Sequence, residues 1–190
     1  MSLVGFIGWI GTSLYLINHG YLSVIKDWRP TIYYSGNFIA AMALLINGTV
    51  LSSWQAVVIN SFWAIISLLL LFSVDLKKLA SSKVLFEASL ATLFLGLLIK
   101  STYQFKLDTQ WLAWSSSYIF CSVYLLFSSE KIGLKHYLLW NFLAAIILLP
   151  QLALDANWPN FWLEVVWASI SIIGFIRKWK APDLMNSLED

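Results

Sequence analysis

The sequence has few charged residues: its 190 residues include 12 Lys or Arg and 10 Asp or Glu, which together make 12% of the chain. Soluble domains average about 25% charged residues. The chain therefore has too few polar side chains to cover a surface that faces water. Its composition also excludes a disordered chain and a nucleic-acid-binding protein, so we expect no nucleic-acid partner.

Cysteine and histidine are also scarce. The single cysteine, Cys121, excludes an internal disulfide and a thiol metal cluster. The two histidines, His19 and His136, lie on separate apolar segments without acidic partners nearby in the sequence, so we expect no metal site. The chain contains no nucleophile motif, no phosphate-binding loop and no Rossmann signature. We therefore predict that the protein is not an enzyme and needs no cofactor.

Long apolar runs make up most of the chain, which is 59% hydrophobic with a mean hydropathy of +0.75. A transmembrane helix needs about 20 consecutive apolar residues, and short charged or turn-forming segments separate the runs. The sequence predicts an all-α, polytopic membrane protein. Its seven predicted spans are residues 4–24, 31–48, 53–73, 83–101, 110–128, 135–154 and 160–177.

The basic residues are distributed unevenly between the two sides that seven spans define. With the N-terminus outside the cell, ten of the 12 Lys and Arg residues fall on the cytoplasmic side, and only Lys100 and Lys106 fall on the other. Cytoplasmic loops carry the excess of Lys and Arg in membrane proteins. We therefore predict a multi-pass protein of the cell (inner) membrane with its N-terminus outside and its C-terminus in the cytoplasm.

The chain contains an internal duplication, because segment 36–46, GNFIAAMALLI, repeats as segment 140–150, WNFLAAIILLP. If four inserted residues are allowed in the loop 155–159 of the second copy, Trp54 aligns with Trp162 and Asn60 with Ala168. The first three spans repeat as the last three, and the fourth restores the orientation of the second triplet. This predicts a 3-1-3 arrangement of two parallel repeats related by a pseudo-twofold axis along the membrane normal. The predicted parts are the first repeat (1–76), the inversion helix with its linkers (77–106), the second repeat (107–180) and a short cytoplasmic tail (181–190).

This plan resembles that of the SWEET and SemiSWEET sugar carriers and the PnuC-type vitamin carriers over residues 4–177. The resemblance is one of architecture, and it implies transport of a small solute between the two repeats. The proline-glutamine pair that SWEET proteins carry near the end of the first helix of each triplet is missing, and the single Pro150-Gln151 pair falls in the sixth span. The asparagine of the third helix in SWEET pockets has a counterpart in Asn60.

Polar residues inside the bilayer are the first candidates for a binding site, because they are costly there unless they are paired or face water. Asn18, Asn37 and Asn141 share one depth, about 9 Å inside the cytoplasmic boundary at a rise of about 1.5 Å per residue. His19 adjoins Asn18, and Asn60 lies in the outer half. We predict that these five residues bind a small neutral polar solute, because an amide both donates and accepts hydrogen bonds without charge. The alternative is that they only hydrogen-bond neighbouring helices.

Other polar and aromatic residues have structural interpretations. Thr12, Ser13 and the serines 115–117 either line a cavity or serve helix packing. Glu87 and Glu164 lie about one turn inside a helix start, where a carboxylate interacts favourably with the helix dipole. Six tryptophans are expected at the membrane interfaces: Trp28, Trp54, Trp111, Trp158, Trp162 and Trp179.

Two functions of different classes follow from these patterns. The first is a secondary transporter of a small neutral polar solute, motivated by the repeat and the mirrored polar positions. The second is a non-transporting accessory or scaffold subunit of a larger membrane complex, motivated by the short loops and the missing carrier motifs. The expected partners are the lipid bilayer, a small polar solute and either further copies of the chain or a larger membrane complex.

Overall fold

The computed structural model describes residues 2–24, 29–78, 82–104 and 108–180, and these residues form seven α-helices. The seven-helix prediction is confirmed, and each observed boundary lies within three residues of the predicted one. The helices are α1 (Leu3–Val24), α2 (Pro30–Val50), α3 (Trp54–Leu71), α4 (Lys83–Gln104), α5 (Thr109–Ser128), α6 (Leu134–Leu154) and α7 (Trp158–Lys180).

Local sequence explains where several helices begin. Pro30 is the first residue of α2, where its fixed φ suits a helix and its missing N–H costs no hydrogen bond. Asp108 caps α5, because its Oδ1 accepts a hydrogen bond from the backbone N–H of Trp111 at 3.0 Å. Gly133 precedes α6 in an extended conformation. The charged and turn-forming segments between the apolar runs therefore separate the helices as the sequence predicts.

Five of the seven helices, α3 to α7, are long and apolar enough to cross a membrane by length and composition. The other two, α1 and α2, have 22 and 21 residues. At a rise of about 1.5 Å per residue they are about as long as the hydrocarbon core is thick. Both helices bury a tyrosine and an asparagine, Tyr15 and Asn18 in α1 and Tyr33 and Asn37 in α2.

The helices pack in a ring with one helix outside it. In the described residues, α2 packs between α1 and α3, and α6 packs between α5 and α7. Contacts of α1 with α7 and of α3 with α5 join these two groups, while α4 packs on α5. We call the end formed by the α2–α3 and α6–α7 turns the Ser53 end, and the opposite end the Lys77 end.

The buried faces of α2 and α6 have one register, offset by 104 residues. Each helix buries a tyrosine, an asparagine, two alanines, a leucine and a terminal amide in the same order. In α2 these are Tyr33, Asn37, Ala40, Ala41, Leu44 and Asn47, and in α6 they are Tyr137, Asn141, Ala144, Ala145, Leu148 and Gln151. The duplication that the sequence indicates is thus also a duplication of packing.

The turns that follow α2 and α6 keep the same offset. Ser52 and Ala156 both adopt a positive φ, 55° and 51°, and α3 and α7 both begin two residues later, at Trp54 and Trp158. The predicted insertion of four residues is therefore wrong. Trp162, the predicted counterpart of Trp54, lies one helical turn too far along α7.

With the offset of 104 residues, different residues of α3 and α7 become equivalent. Asn60 is the counterpart of Glu164 and not of Ala168, since each is the seventh residue of its helix. Trp63 and Trp167 also become equivalent. Sequence comparison chose the wrong tryptophan because α7 begins with the segment 158–162, WPNFW, which offers two of them one turn apart.

Two ion pairs lie near the ends of the bundle, one that involves the C-terminal part of α4 and one between the turns at the Lys77 end. Lys100 of α4 forms an ion pair with Asp108, and its ammonium lies 5.4 Å from the centre of the Trp111 ring. The pKa of Asp108 is lowered by the hydrogen bond from Lys100 and then by the backbone N–H of Trp111. At the Lys77 end, the hydrogen bond to Glu130 at 2.7 Å raises the pKa of Lys77.

Candidate functional site

A small cavity lies inside the ring, between the third helices of the two repeats. Its volume is about 30 Å³, and a water molecule needs about 10 to 15 Å³ by this measure. Most of its wall comes from α3 and α7, and the rest comes from α1, α5 and α6. The lining residues are Tyr15, Ala56, Ile59, Asn60, Trp63, Phe120, Leu148, Asn160, Leu163, Glu164 and Trp167.

The cavity wall has the symmetry of the repeat. Four residues of α3 and their four counterparts in α7, at an offset of 104, all line it. The pairs are Ala56 with Asn160, Ile59 with Leu163, Asn60 with Glu164, and Trp63 with Trp167. The same face of each third helix therefore points at one shared space, which is where a two-repeat carrier is expected to bind its substrate.

Glu164 is the only acidic residue in the wall, and it is 7% exposed. Its Oε2 atom is buried and has no hydrogen-bond partner among the described residues. None of the lining residues is basic. A buried carboxylate is costly unless it is paired or takes up a proton, so the wall contains one carboxyl group that the described protein groups leave without a compensating charge.

This position contradicts the interpretation of Glu164 as a residue that favours the helix dipole. As the seventh residue of α7 it lies about 9 Å along the helix, beyond the first turn where the dipole acts. Glu87 lies on α4 and is exposed, and its carboxylate is 3.7 Å from the ammonium of Lys83. The two glutamates that the sequence treats alike therefore have different roles.

Asparagine side chains close the cavity on the side of the Ser53 end. The Nδ2 of Asn60 donates to the backbone carbonyl of Ala56 at 2.9 Å and lies 3.4 Å from the Oδ1 of Asn160. Asn160 donates in turn to the Oδ1 of Asn157 at 3.0 Å. This chain of amides joins α3 of the first repeat to the start of α7 in the second.

A second contact between the repeats lies closer to the Ser53 end. The hydroxyl of Ser53 in the α2–α3 turn donates to the Oδ2 of Asp155 in the α6–α7 turn at 2.7 Å. The Nε2 of Gln151 donates to the other oxygen of the same carboxylate, also at 2.7 Å. Polar contacts that can be made and broken thus separate the cavity from this end of the bundle.

Aromatic rings close the cavity toward the Lys77 end. The indoles of Trp63 and Trp167 meet edge to face with their ring centres 5.5 Å apart. Tyr15 packs against both, at 5.7 Å and 6.4 Å, and Tyr124 stacks on Trp63 at 4.3 Å. The space is therefore enclosed by amides on one side and by aromatic rings on the other.

Of the five predicted substrate-binding residues, only Asn60 lines this cavity. Asn18 and Asn37 lie together between α1 and α2, where the Nδ2 of Asn18 donates to the Oδ1 of Asn37 and to the carbonyl of Tyr33, both at 2.8 Å. Asn141, the counterpart of Asn37, lies on α6 and hydrogen-bonds other residues. The structure thus does not bring Asn37 and Asn141 together.

Asn141 and His19 both contact Trp167, which lines the cavity. The Oδ1 of Asn141 accepts a hydrogen bond from the indole Nε1 of Trp167 at 3.1 Å, and its Nδ2 donates to the Tyr137 carbonyl at 2.7 Å. The ring of His19 lies 4.1 Å from the ring of Trp167. These two residues therefore position a wall of the cavity without lining it.

The threonine and the serines that were expected either to line a cavity or to serve helix packing donate mainly to backbone carbonyls. Thr12 donates to the carbonyl of Pro159 at 2.8 Å, and Ser116 donates to that of Ala144 at 2.7 Å. Ser115 and Ser117 bond within α5, and Ser13 is exposed. These contacts favour the packing interpretation of the group.

Sequence reasoning missed Glu164, Asn160, Trp63 and Trp167. The signal that reveals three of them is the ungapped offset of 104 residues, which pairs Trp63 with Trp167 and places Glu164 opposite Asn60. Among the described residues, no group of three His, Cys, Asp or Glu could hold a metal ion.

A family model matches the chain twice, over residues 4–78 and 109–182. The chain therefore belongs to this family, which is uncharacterised and built on an internal repeat. The two matches end 104 residues apart, in agreement with the offset of the packed helices. No curated protein and no solved structure matches the chain.

Proposed function

We propose that this chain, a member of that two-repeat family, is a secondary transporter that moves a small polar solute through the cavity between its third helices. All seven helices cross the bilayer in a 3-1-3 arrangement of two parallel repeats, with the Lys77 end in the cytoplasm. This plan resembles that of the SWEET and PnuC-type carriers. The binding residues are Asn60, Asn160 and Glu164, in place of the set predicted from the sequence.

One observation carries the proposal: equivalent faces of α3 and α7 enclose a single cavity, and that cavity contains a carboxyl oxygen without a partner. Polar groups inside a bilayer are costly, so those that face a shared cavity are first candidates for a solute site. A purely structural bundle would gain more stability from an apolar residue at this position.

Alternating access follows from the two closures of the cavity. The Ser53–Asp155 and Asn60–Asn160 contacts join the repeats on one side, and the rings of Trp63 and Trp167 join them on the other. Rocking of one repeat against the other opens one closure while the other stays packed. The contacts of both closures are present in the structure.

The experiment is uptake by proteoliposomes that contain the purified full-length protein. The probes are radiolabelled glycerol, urea and methylammonium, and empty liposomes correct for passive leakage. Saturable uptake of at least one probe, lost in Asn60→Leu and retained in Glu87→Gln, supports the proposal. Asn60→Leu removes the amide from the cavity wall and keeps the branching of the side chain, while Glu87→Gln changes an exposed side chain on α4.

The second candidate function is an accessory subunit of a larger membrane complex. The observation that favours it is α4, which lies outside the ring, packs mainly on α5 and leaves Leu85, Leu95 and Leu98 exposed. Purification in mild detergent separates the two functions. A stable foreign subunit, together with no saturable uptake of any probe, would favour the accessory function over transport.

A further inference from the structure

The charge balance of the cavity constrains its ligand. Glu164 is more than nine-tenths buried, and among the described residues its Oε2 has no partner and Tyr15 is the only other titratable side chain in the wall. No lysine, arginine or histidine lines the space. A buried carboxyl group either stays neutral by holding a proton or ionises against a cation, and a solute that pairs with the ionised form brings a positive charge and hydrogen-bond donors.

The rest of the wall suits an organic cation. The faces and edges of Tyr15, Trp63 and Trp167 supply aromatic surface, and aromatic faces attract ammonium groups. Ile59, Leu148 and Leu163 add alkyl surface that an alkyl substituent can contact. One carboxylate beside aromatic rings is the combination that recognises an ammonium group attached to a small apolar body.

A bare metal cation fits this wall less well. Alkali and alkaline-earth ions prefer several oxygen ligands around them. Here the oxygens other than those of Glu164 are few, and the Oδ1 of Asn160 already faces the Nδ2 of Asn60 at 3.4 Å. The aromatic and aliphatic remainder of the wall offers no further ligands to a metal.

The size of the cavity limits the cation further. A volume of about 30 Å³ corresponds to two or three water molecules by the same measure. That space holds a group of a few non-hydrogen atoms without opening either closure. Larger substituents would have to displace the packed rings of Trp63 and Trp167.

We propose that the solute of this transporter is a small alkylammonium ion, whose ammonium group pairs with Glu164 and whose alkyl group packs on Trp63 and Trp167. This inference rests on the proposed function, and it replaces the neutral solute that the sequence suggested. Asn60 and Asn160 then accept the remaining hydrogen bonds of the ammonium group through their amide oxygens.

The test is calorimetric binding of methylammonium to the full-length protein in lipid nanodiscs, with methanol and urea as neutral probes of similar size. Glu164→Gln keeps the shape of the side chain and removes its charge. We expect methylammonium affinity to fall about 10- to 100-fold in this variant, as for loss of a hydrogen bond to a charged group. Glu87→Gln is the matched control and should leave affinity unchanged.

A second variant pair tests the aromatic wall. Trp63 is suited to this because its Nε1 has no hydrogen-bond partner among the described residues, so replacing it breaks no bond. Trp63→Leu should weaken methylammonium binding by about 3- to 30-fold, and Trp63→Phe by less, because indole attracts cations best. Thermal unfolding of each variant verifies that the fold is retained.

The outcomes separate this inference from the proposed function. Saturable binding of methylammonium that depends on Glu164 supports both. Binding or uptake of urea or glycerol that survives Glu164→Gln overturns the alkylammonium assignment and leaves transport standing. Neutral-solute uptake driven by a proton gradient and lost in Glu164→Gln also overturns the assignment, since the proton would then be the cation. Absence of uptake of every probe overturns transport itself.

Discussion

Asn60 and Glu164 occupy equivalent positions in the two repeats, and both line the same cavity. The backbone around them is duplicated, but one repeat supplies a neutral amide and the other a carboxyl group. A symmetric frame therefore holds an asymmetric site. The two ends of a bound solute would meet different chemistry, which gives the solute a defined orientation.

The equivalence predicts that the carboxyl group can be moved to the other repeat. Glu164→Asn removes it and should reduce uptake or binding of the cation at least about 10-fold. Adding Asn60→Glu to this variant restores a carboxyl group at the equivalent position of the other repeat and should recover a large part of the loss. Binding of methylammonium in nanodiscs measures both effects. A double variant that binds no better than Glu164→Asn would contradict the equivalence.

Asn18 and Asn37 should act in stability and not in solute recognition. Their side chains are joined by a 2.8 Å hydrogen bond between α1 and α2, away from the cavity. Double-mutant cycles in membrane proteins find about 0.6 kcal/mol for such bonds, with a maximum of about 1.7 kcal/mol. We expect a coupling in this range for Asn18→Ala and Asn37→Ala in detergent unfolding. Folded variants that lose solute binding through a changed affinity would indicate a direct role.

Gly11 should be intolerant of a larger side chain. A Cβ atom there would lie 2.9 Å from the Leu44 Cγ and 3.0 Å from the Ala40 carbonyl oxygen, so α1 and α2 would have to separate. Gly11→Ala should lower the free energy of unfolding by about 1 to 3 kcal/mol, as overpacking does. Gly133→Ala is the control, because nothing lies within 4 Å of its new Cβ. Equal stability of the two variants would rule out close packing at Gly11.

The ion pair between Asp108 and Lys100 should make the attachment of α4 to α5 depend on pH. Its pKa is lowered by Lys100 and by the Trp111 N–H, so its stabilisation is present above the unfolded pKa of about 3.9 and is lost as pH falls through the folded pKa. Asp108→Asn should therefore be less stable than the parent protein at pH 7. The difference should disappear in acid, as thermal unfolding in detergent at a series of pH values can measure.

Asp108→Ala provides the matched comparison for this variant. It removes the cap of α5 as well as the charge, and lost caps cost about 1 kcal/mol. Its destabilisation should persist in acid, whereas that of Asp108→Asn should not. A constant difference between Asp108→Asn and the parent protein across this pH range would assign the effect to something other than the carboxylate charge.

The sequence predicted the helices and the repeat well because both depend on local patterns. Apolar runs and stop signals such as Pro30 and Asp108 determine where helices begin and end. The repeated Asn37 and Asn141 segments share residues that face the interior, so the duplication was readable. Of the site, however, only Asn60 was identified.

The rest of the site depended on the register of α3 against α7, which local patterns did not determine. The tryptophans at 158 and 162 both match Trp54, and only the fold shows that α7 begins at Trp158. The wrong match paired Glu164 with Ala56 instead of Asn60, and Glu164 was interpreted as a helix-end residue. Asn37 and Asn141 were assigned to one site because they share one depth in the bilayer. In the structure Asn37 hydrogen-bonds Asn18 of α1, and Asn141 hydrogen-bonds Trp167 of α7.

The most direct test of transport between the repeats is to lock the contact between Ser53 and Asp155. Their side chains touch at 2.7 Å, so Ser53→Cys and Asp155→Cys can be joined by a short reducible bifunctional thiol linker in a Cys121→Ser background. We predict that the linked protein in proteoliposomes loses uptake of methylammonium and regains it on reduction, while each linker-treated single cysteine variant keeps it. Uptake by the linked protein at the rate of the reduced protein would contradict the account.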